Sequence, residues 1–256
     1  MRKTLRITVL IALIAVLIFS AVQAALVVWQ YRRANDYYQG IRGAVSDREP
    51  IPTPPLSEST TDPPDPPPIK EEPPIQVDFE KFTGQYPDLI GWLYCEGTPI
   101  NYPVMQGKDN NQYLRHLPDG SYSVTGSLFA DYRCGKPGED MNFVIYGHNM
   151  KNESMFGTLV RYKEQSYYDA HPVLWLLTPD KTYKIELCFG IVTKSTSDYY
   201  KPDMEPDFRT NLLREAGEES TFSSGIEVAE TDRLITLSTC SYEFTNARFI
   251  AIGVIK

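Results

Sequence analysis

The chain has 256 residues, 42% of them hydrophobic, and a formal net charge of −8 at pH 7, a composition ordinary for a globular domain of moderate size. The acidic excess lies wholly in the C-terminal part: residues 1–75 carry eight basic and eight acidic side chains, and the remainder carries 17 against 25. No Lys/Arg-rich run occurs there, so the electrostatic footprint of a nucleic-acid binder is absent.

Residues 7–29 form a stretch of 23 positions without Asp, Glu, Lys or Arg. At 1.5 Å of helical rise per residue this is long enough to cross a hydrocarbon core of about 30 Å. Arg2, Lys3 and Arg6 precede it and favour a cytoplasmic N-terminus (residues 1–6), whereas Arg32 and Arg33 on the far flank oppose that assignment. The competing reading is a cleaved signal peptide, because Val22-Gln23-Ala24 before Ala25 has the small-residue pattern of a cleavage site. Either way the rest of the chain is exported. A juxtamembrane segment (30–49) leads into residues 50–75, which hold eleven of the 20 prolines. That composition predicts a stiff, extended spacer holding a domain away from the bilayer. The folded domain is then 76–256, about 180 residues, enough to bury a core without disulfide staples.

Short apolar runs between turn residues predict strands over 90–95, 100–105, 127–131, 143–146, 174–177, 183–192, 234–238 and 249–255. Helical patterns are fewer, over 77–86, 110–116, 155–162 and 206–215, with Asp109 and Ser154 placed as N-caps. Eight strands at this spacing point to a mostly β fold, an eight-stranded barrel with a few peripheral helices. Helices do not alternate with strands, which disfavours a Rossmann-like sheet. There is no Gly-rich phosphate loop. The four cysteines, Cys95, Cys134, Cys188 and Cys240, include no CxxC pair and support neither a disulfide framework nor a zinc ribbon. No cofactor and no metal is predicted.

Three residues at strand ends carry the chemistry. LITLSTC delivers Cys240 at the end of a core strand, where the thiol is held firmly and opens onto the surface; a buried structural Cys is the bland alternative. FVIYGHNM delivers His148, with Gly147 allowing the backbone to turn. His116 falls in a helical pattern and His171 precedes Pro172, so neither shares that setting. Arg248 opens the last strand, eight residues after Cys240, and an antiparallel return would bring its guanidinium beside the thiol. Taken alone, Arg248 reads better as a rim residue paired with a carboxylate such as Glu243. Together the three supply a thiolate favoured by a neighbouring cation, a proton donor for a leaving amine and a donor for an oxyanion. A papain-like enzyme would place Cys before His; here the order is His, Cys, Arg.

TLSTC at 236–240, with a preceding His and a following Arg, resembles the sortases. The segments INYPVMQGKDNNQYLRH (100–116), SLFADYR (127–133), FVIYGHNMKNESMFGTL (143–159) and LSTCSYEFTNARF (237–249) are similar to class B sortases, so the resemblance covers the whole folded domain. It implies a membrane-anchored cysteine transpeptidase at a Gram-positive-type cell surface. Such an enzyme cleaves an exported protein after the Thr of a C-terminal sorting motif, forms a thioester on its Cys and passes the acyl group to an amine. The amine belongs to a peptidoglycan precursor or, in pilus-building members, to a pilin. By the same resemblance Cys240 is the nucleophile, His148 protonates the leaving amine and Arg248 holds the substrate carbonyl and oxyanion. Asn110, Leu114, Tyr146 and Ser238 match positions lining the substrate groove, though each also reads as a packing or capping residue. Class B implies an NPxTx-like motif, and the 92-residue gap between His148 and Cys240 suits its inserted helix near the groove, where Tyr199 and Tyr200 would contribute. A hydrolysing cysteine protease and a catalytically inert wall-binding module are the alternatives from other classes.

Overall fold

The computed structural model describes residues 2–48 and 72–256. Chain order runs through α1 (Arg2–Ile41), β1 (Val45–Asp47), β2 (Ile75–Val77), β3 (Leu89–Tyr94), β4 (Asn101–Met105), β5 (Leu128–Ala130) and β6 (Asn142–Tyr146). It continues with α2 (Gln165–Ala170), β7 (Val173–Leu177), β8 (Thr182–Lys194), α3 (Pro206–Glu219), β9 (Arg233–Cys240) and β10 (Ala247–Ile255). Strands β3 to β10 close into a barrel in the order β10-β8-β7-β3-β4-β5-β6-β9. All eight predicted barrel strands are present, each within two residues of its predicted ends. Strands buried on both sides carry continuous apolar runs, whereas β8 alternates buried with partly exposed residues. In β9 six consecutive residues, Leu234 to Thr239, are buried.

Most neighbours are antiparallel, but β6 pairs in parallel with β9, with Tyr146 opposite Ser238. The next strand, β10, lies antiparallel to β9 with Arg248 opposite Cys240. The ends of β6 and β9 and the start of β10 therefore open at one end of the barrel, and this register positions the site.

The helices follow the sequence reading less closely. The pattern at 206–215 is realised and extended in α3, which starts with Pro206 at its first turn, where a missing N–H costs nothing. Residues 110–116 are not helical. The carbonyls of Tyr113 and Arg115 accept from Ser127 N and Ser123 N across the loop, and so cannot build an i→i+4 ladder. Asp109 still caps, its Oδ1 accepting from the N–H groups of Asn111 and Gln112. The pattern at 155–162 gives a 3-10 turn at Leu159–Lys163, and Ser154 bonds Asn152 rather than capping. The pattern at 77–86 collapses to a 3-10 turn at Phe79–Phe82, stopped by Gly84 at φ 77 and by Pro87, before which helix is disfavoured. The sequence reading misses α2, a single short segment after a 3-10 turn.

At the N-terminus α1 runs unbroken for 40 residues and is long and apolar enough to cross a membrane. Its last part and the 3-10 turn after it (Arg42–Ala44) belong to the barrel's packing: Ala34 and Tyr38 join one core cluster, and Ile41 and Ala44 join a second with Ile75, Phe82 and Trp92. Tyr38 packs edge-on against Tyr102 with centroids 5.1 Å apart and donates to the Gly126 carbonyl at 2.7 Å. Arg42 Nε donates to the Asn101 carbonyl at 3.0 Å while its guanidinium lies over Tyr102. Most of the proline-rich segment 50–75 lies outside the described residues, but its flanks do not. β1 and β2 pair antiparallel, Arg48 N donates to the Pro74 carbonyl, and Arg48 pairs with Glu72. The two flanks thus lie side by side, and the last turns of α1 pack on the barrel.

Candidate active site

A groove of about 240 Å³ opens where β6 and β9 end and β10 begins. Its lining includes all seven residues singled out from sequence: His148, Cys240 and Arg248, together with Asn110, Leu114, Tyr146 and Ser238. Cys240 is the one cysteine that is not buried; all four thiols are free. Burial pushes Cys134 and Cys188 up to about 12 and also raises Cys95, so those three are inert packing thiols.

Strand register puts Cys240 and Arg248 directly across from each other, and paired residues project on the same face of a sheet. The Arg248 guanidinium makes one hydrogen bond, from Nη1 to the Ala247 carbonyl at 2.9 Å. The carboxylate that could have neutralised it, Glu243, is engaged elsewhere, by Lys163 and by Ser241 Oγ. Those contacts hold the Glu243 carboxyl down at about 2. Among the described residues no carboxylate pairs with Arg248, so its donors remain available to a ligand in the groove.

His148 follows β6 through Gly147, and a Cβ on Gly147 would fall 2.5 Å from Leu128 Cδ2 and 2.6 Å from Phe156 Cδ2. Any larger residue there would have to displace those side chains. Three bonds tie this segment to β9: Gly147 N donates to the Ser238 carbonyl (3.0 Å), Thr239 Oγ1 to the Gly147 carbonyl (2.8 Å) and Asn149 Nδ2 to the Cys240 carbonyl (2.8 Å). The imidazole is half-buried and its Nε2 lies 2.7 Å from the Leu114 carbonyl, which fixes that nitrogen as the protonated one. Desolvation lowers the His148 pKa, nearby Arg115 lowers it further, and the Leu114 carbonyl opposes both. His116 and His171 bond backbone carbonyls of Gln112 and Glu96 away from the groove.

One residue that the sequence reading did not assign to the site organises the opposite wall. The Asp131 side chain is wholly buried and accepts from Arg133 Nε and Nη2 (both 2.8 Å), Asn110 Nδ2 (3.0 Å) and Tyr146 OH (2.8 Å). Burial alone would raise its pKa, but these donors outweigh it and leave the carboxyl below its ordinary value. Asp131 thereby orients two groove residues at once. The signal was present in SLFADYR, a carboxylate at a strand end with Arg two residues on. Arg133 also donates to the Tyr200 carbonyl, and the Tyr200 hydroxyl lies 3.1 Å from Ser238 Oγ. Tyr200 lines the groove, as do Phe129 and Ser195, whereas Tyr199 is buried, its carbonyl accepting from Asn142.

The comparisons agree on the family to which this closed barrel belongs. Residues 93–256 match the model of the sortase domain, and the chain belongs to the sortase family. Within it the similarity is to sortases B. The sortase B of Listeria monocytogenes is 38% identical over 159 residues, 61% of this chain and 64% of that protein, a little under two thirds of its length. The solved Staphylococcus aureus sortase B–substrate complex is 29% identical, covers 70% of this chain and 84% of its own, and superposes with a TM-score of 0.66. A crystal structure of sortase B complexed with triglycine is 30% identical, with 70% and 85% covered and the same TM-score.

Proposed function

We propose that this chain is a membrane-anchored cysteine transpeptidase of the sortase B type, with residues 7–29 as anchor and 76–256 as catalytic domain. The observation that carries the reading is the register of Cys240 opposite Arg248 with His148 lining the same groove. Cys240, as thiolate, attacks the carbonyl carbon of the Thr in an NPxTx-like sorting motif of an exported protein. The oxyanion that forms is stabilised by the free donors of Arg248. Collapse breaks the C–N bond, and His148 transfers a proton to the departing amine. The thioester left on Sγ is attacked by a second amine, from a peptidoglycan cross-bridge or a pilin; the amine gives its proton back to His148 as the C–S bond breaks, forming a new amide and regenerating the thiolate. Asn110, Leu114, Tyr146 and Ser238 line the path of the motif. The existence of a substrate complex and a triglycine complex among similar sortases B supports a peptide donor and a glycine-type acceptor.

The test is to incubate the chain with a panel of quenched sorting-motif peptides, with and without triglycine, and to weigh the intact enzyme. An acyl adduct on the wild type but not on Cys240→Ala, with a triglycine-ligated product, is expected. Cleavage that ignores every amine would instead mark a hydrolase, and cleavage of LPxTG in preference to NPxTx would overturn the motif assignment.

A further inference from the structure

α1 continues as one helix from its apolar stretch into the segment packed on the barrel. Ala34, the first residue buried on the barrel, comes five residues after Trp29. At 1.5 Å per residue that is about 8 Å, comparable to the headgroup layer on one side of a bilayer. The barrel surface beside Trp29–Ala34 therefore sits at headgroup level if 7–29 spans the membrane. At that level the structure has a crevice of about 140 Å³ between α1 and the loop 117–123. Trp29, Gln30 and Arg33 form one side, Leu117, Ser121 and Tyr122 the other.

Its chemistry is unsatisfied. Gln30 Oε1 and Ser121 Oγ are both shut off from solvent with no hydrogen-bond partner, a state that costs free energy until a ligand supplies one. Arg33 lies over the Trp29 ring, and among the described residues no carboxylate pairs with it. Trp29 and Tyr122 are more than half exposed, and exposed Trp and Tyr are the side chains that settle at a membrane interface. We propose that this crevice binds the headgroup of an anionic phospholipid bearing hydroxyls, of the phosphatidylglycerol kind. Arg33 and the Ser121 hydroxyl donate to the phosphate, and a headgroup hydroxyl donates to Gln30 Oε1. The inference rests on the anchor reading given above. It also accounts for Arg33 on the outer flank of the span, where the basic-residue rule does not favour it.

The same loop reaches the groove. Leu117 N donates to the Ser121 carbonyl and Ser123 N to the Arg115 carbonyl, and the adjoining Leu114 holds His148. A headgroup seated against Ser121 and Tyr122 fixes the height and tilt of the groove relative to the bilayer in which a substrate's own anchor lies.

The full chain in vesicles of phosphatidylglycerol and phosphatidylcholine tests this with two photoreactive lipids and peptide mapping of the adducts. A diazirine deep in the acyl chain reports on the span, and one on the headgroup reports on the crevice. Headgroup adducts on 117–123 that fall several-fold in Arg33→Gln, with soluble-peptide cleavage unchanged, are expected. Chain labelling of 7–29 without headgroup labelling of 117–123 overturns the lipid site and leaves the anchor standing. Absence of chain labelling in 7–29 overturns the anchor reading and the site with it. Loss of headgroup adducts on adding inorganic phosphate marks a free-anion site and overturns the lipid assignment.

Discussion

The two walls of the groove are built by different means. The wall carrying Cys240, Arg248 and His148 is set by strand register: β9 against β10, and β6 against β9 with its short continuation through Gly147. The wall around Asn110 is set by side chains, chiefly the donors gathered on Asp131, which also holds the hydroxyl of the β6 residue Tyr146. A register is shared among many backbone bonds and tolerates the loss of one. A hub is a single residue, and removing it releases every group it holds. The proposed reacting groups thus stand with Ser238 on the rigid wall, whereas Asn110 and the Tyr146 hydroxyl depend on the adjustable one.

The largest effect should come from the rigid wall's chemistry. Cys240→Ala is expected to abolish the acyl adduct in intact-mass analysis while leaving the melting temperature close to that of the wild type. Arg248→Lys keeps the charge but loses the planar fork of donors. It should lower kcat about 100- to 1,000-fold, the range seen on removing an oxyanion donor, with circular dichroism unchanged. If Arg248→Lys retains full kcat, Arg248 is not the oxyanion donor.

Breaking the passage between β6 and His148 comes next. In Gly147→Ala the added methyl meets Leu128 and Phe156, an overpacking that should cost about 1–3 kcal/mol and appear as an earlier denaturant midpoint. The adjustable wall should respond differently. Asp131→Asn keeps the shape but withdraws the charge from Arg133 and an acceptor from Asn110 or Tyr146. It should raise KM for the sorting peptide more than it lowers kcat, on the order of 1–3 kcal/mol in kcat/KM, as for an orphaned buried donor. An equal loss in kcat with KM unchanged would place Asp131 in the chemistry instead.

The smallest effect concerns pH. A His148 that must donate a proton is active while protonated, so activity falls as pH rises through its pKa. That pKa lies below the ordinary value because of desolvation and, in smaller part, Arg115. Arg115→Gln removes the second cause, so the alkaline limb set by His148 should move to higher pH in a kcat–pH profile. A limb that moves to lower pH would contradict this.

The same contrast explains what could be read in advance. Strands such as 234–238 and 249–255 announce themselves by β-rich runs, and the residues at their ends follow once the barrel is inferred, so Cys240, His148 and Arg248 were legible. The wall at 107–127 was not. Its apolar spacing mimics a helix, yet the Tyr113 and Arg115 carbonyls are claimed by Ser127 and Ser123, partners that only the folded chain brings near. SLFADYR shows Asp131 as a strand-end carboxylate beside Arg133, but not its further partners, since Asn110 and Tyr146 reach it from 21 and 15 positions away. The packing of α1 on the barrel was missed because Ala34, Tyr38 and Ile41 are spaced as one helical face in a segment read as a tether.

Three of the four thiols are locked in the core and the fourth stands alone in the groove. A cysteine oxidised to the sulfenic acid is ordinarily rescued by a second thiol that closes a disulfide. Cys240 has no such companion lining its groove, so oxidant reaching it leaves either a sulfenic acid open to further, irreversible oxidation or a mixed disulfide with a small thiol from outside. With Cys240 as the proposed nucleophile, the working lifetime of the protein would be set by the thiol content of its surroundings, and not by any reserve among its other three thiols.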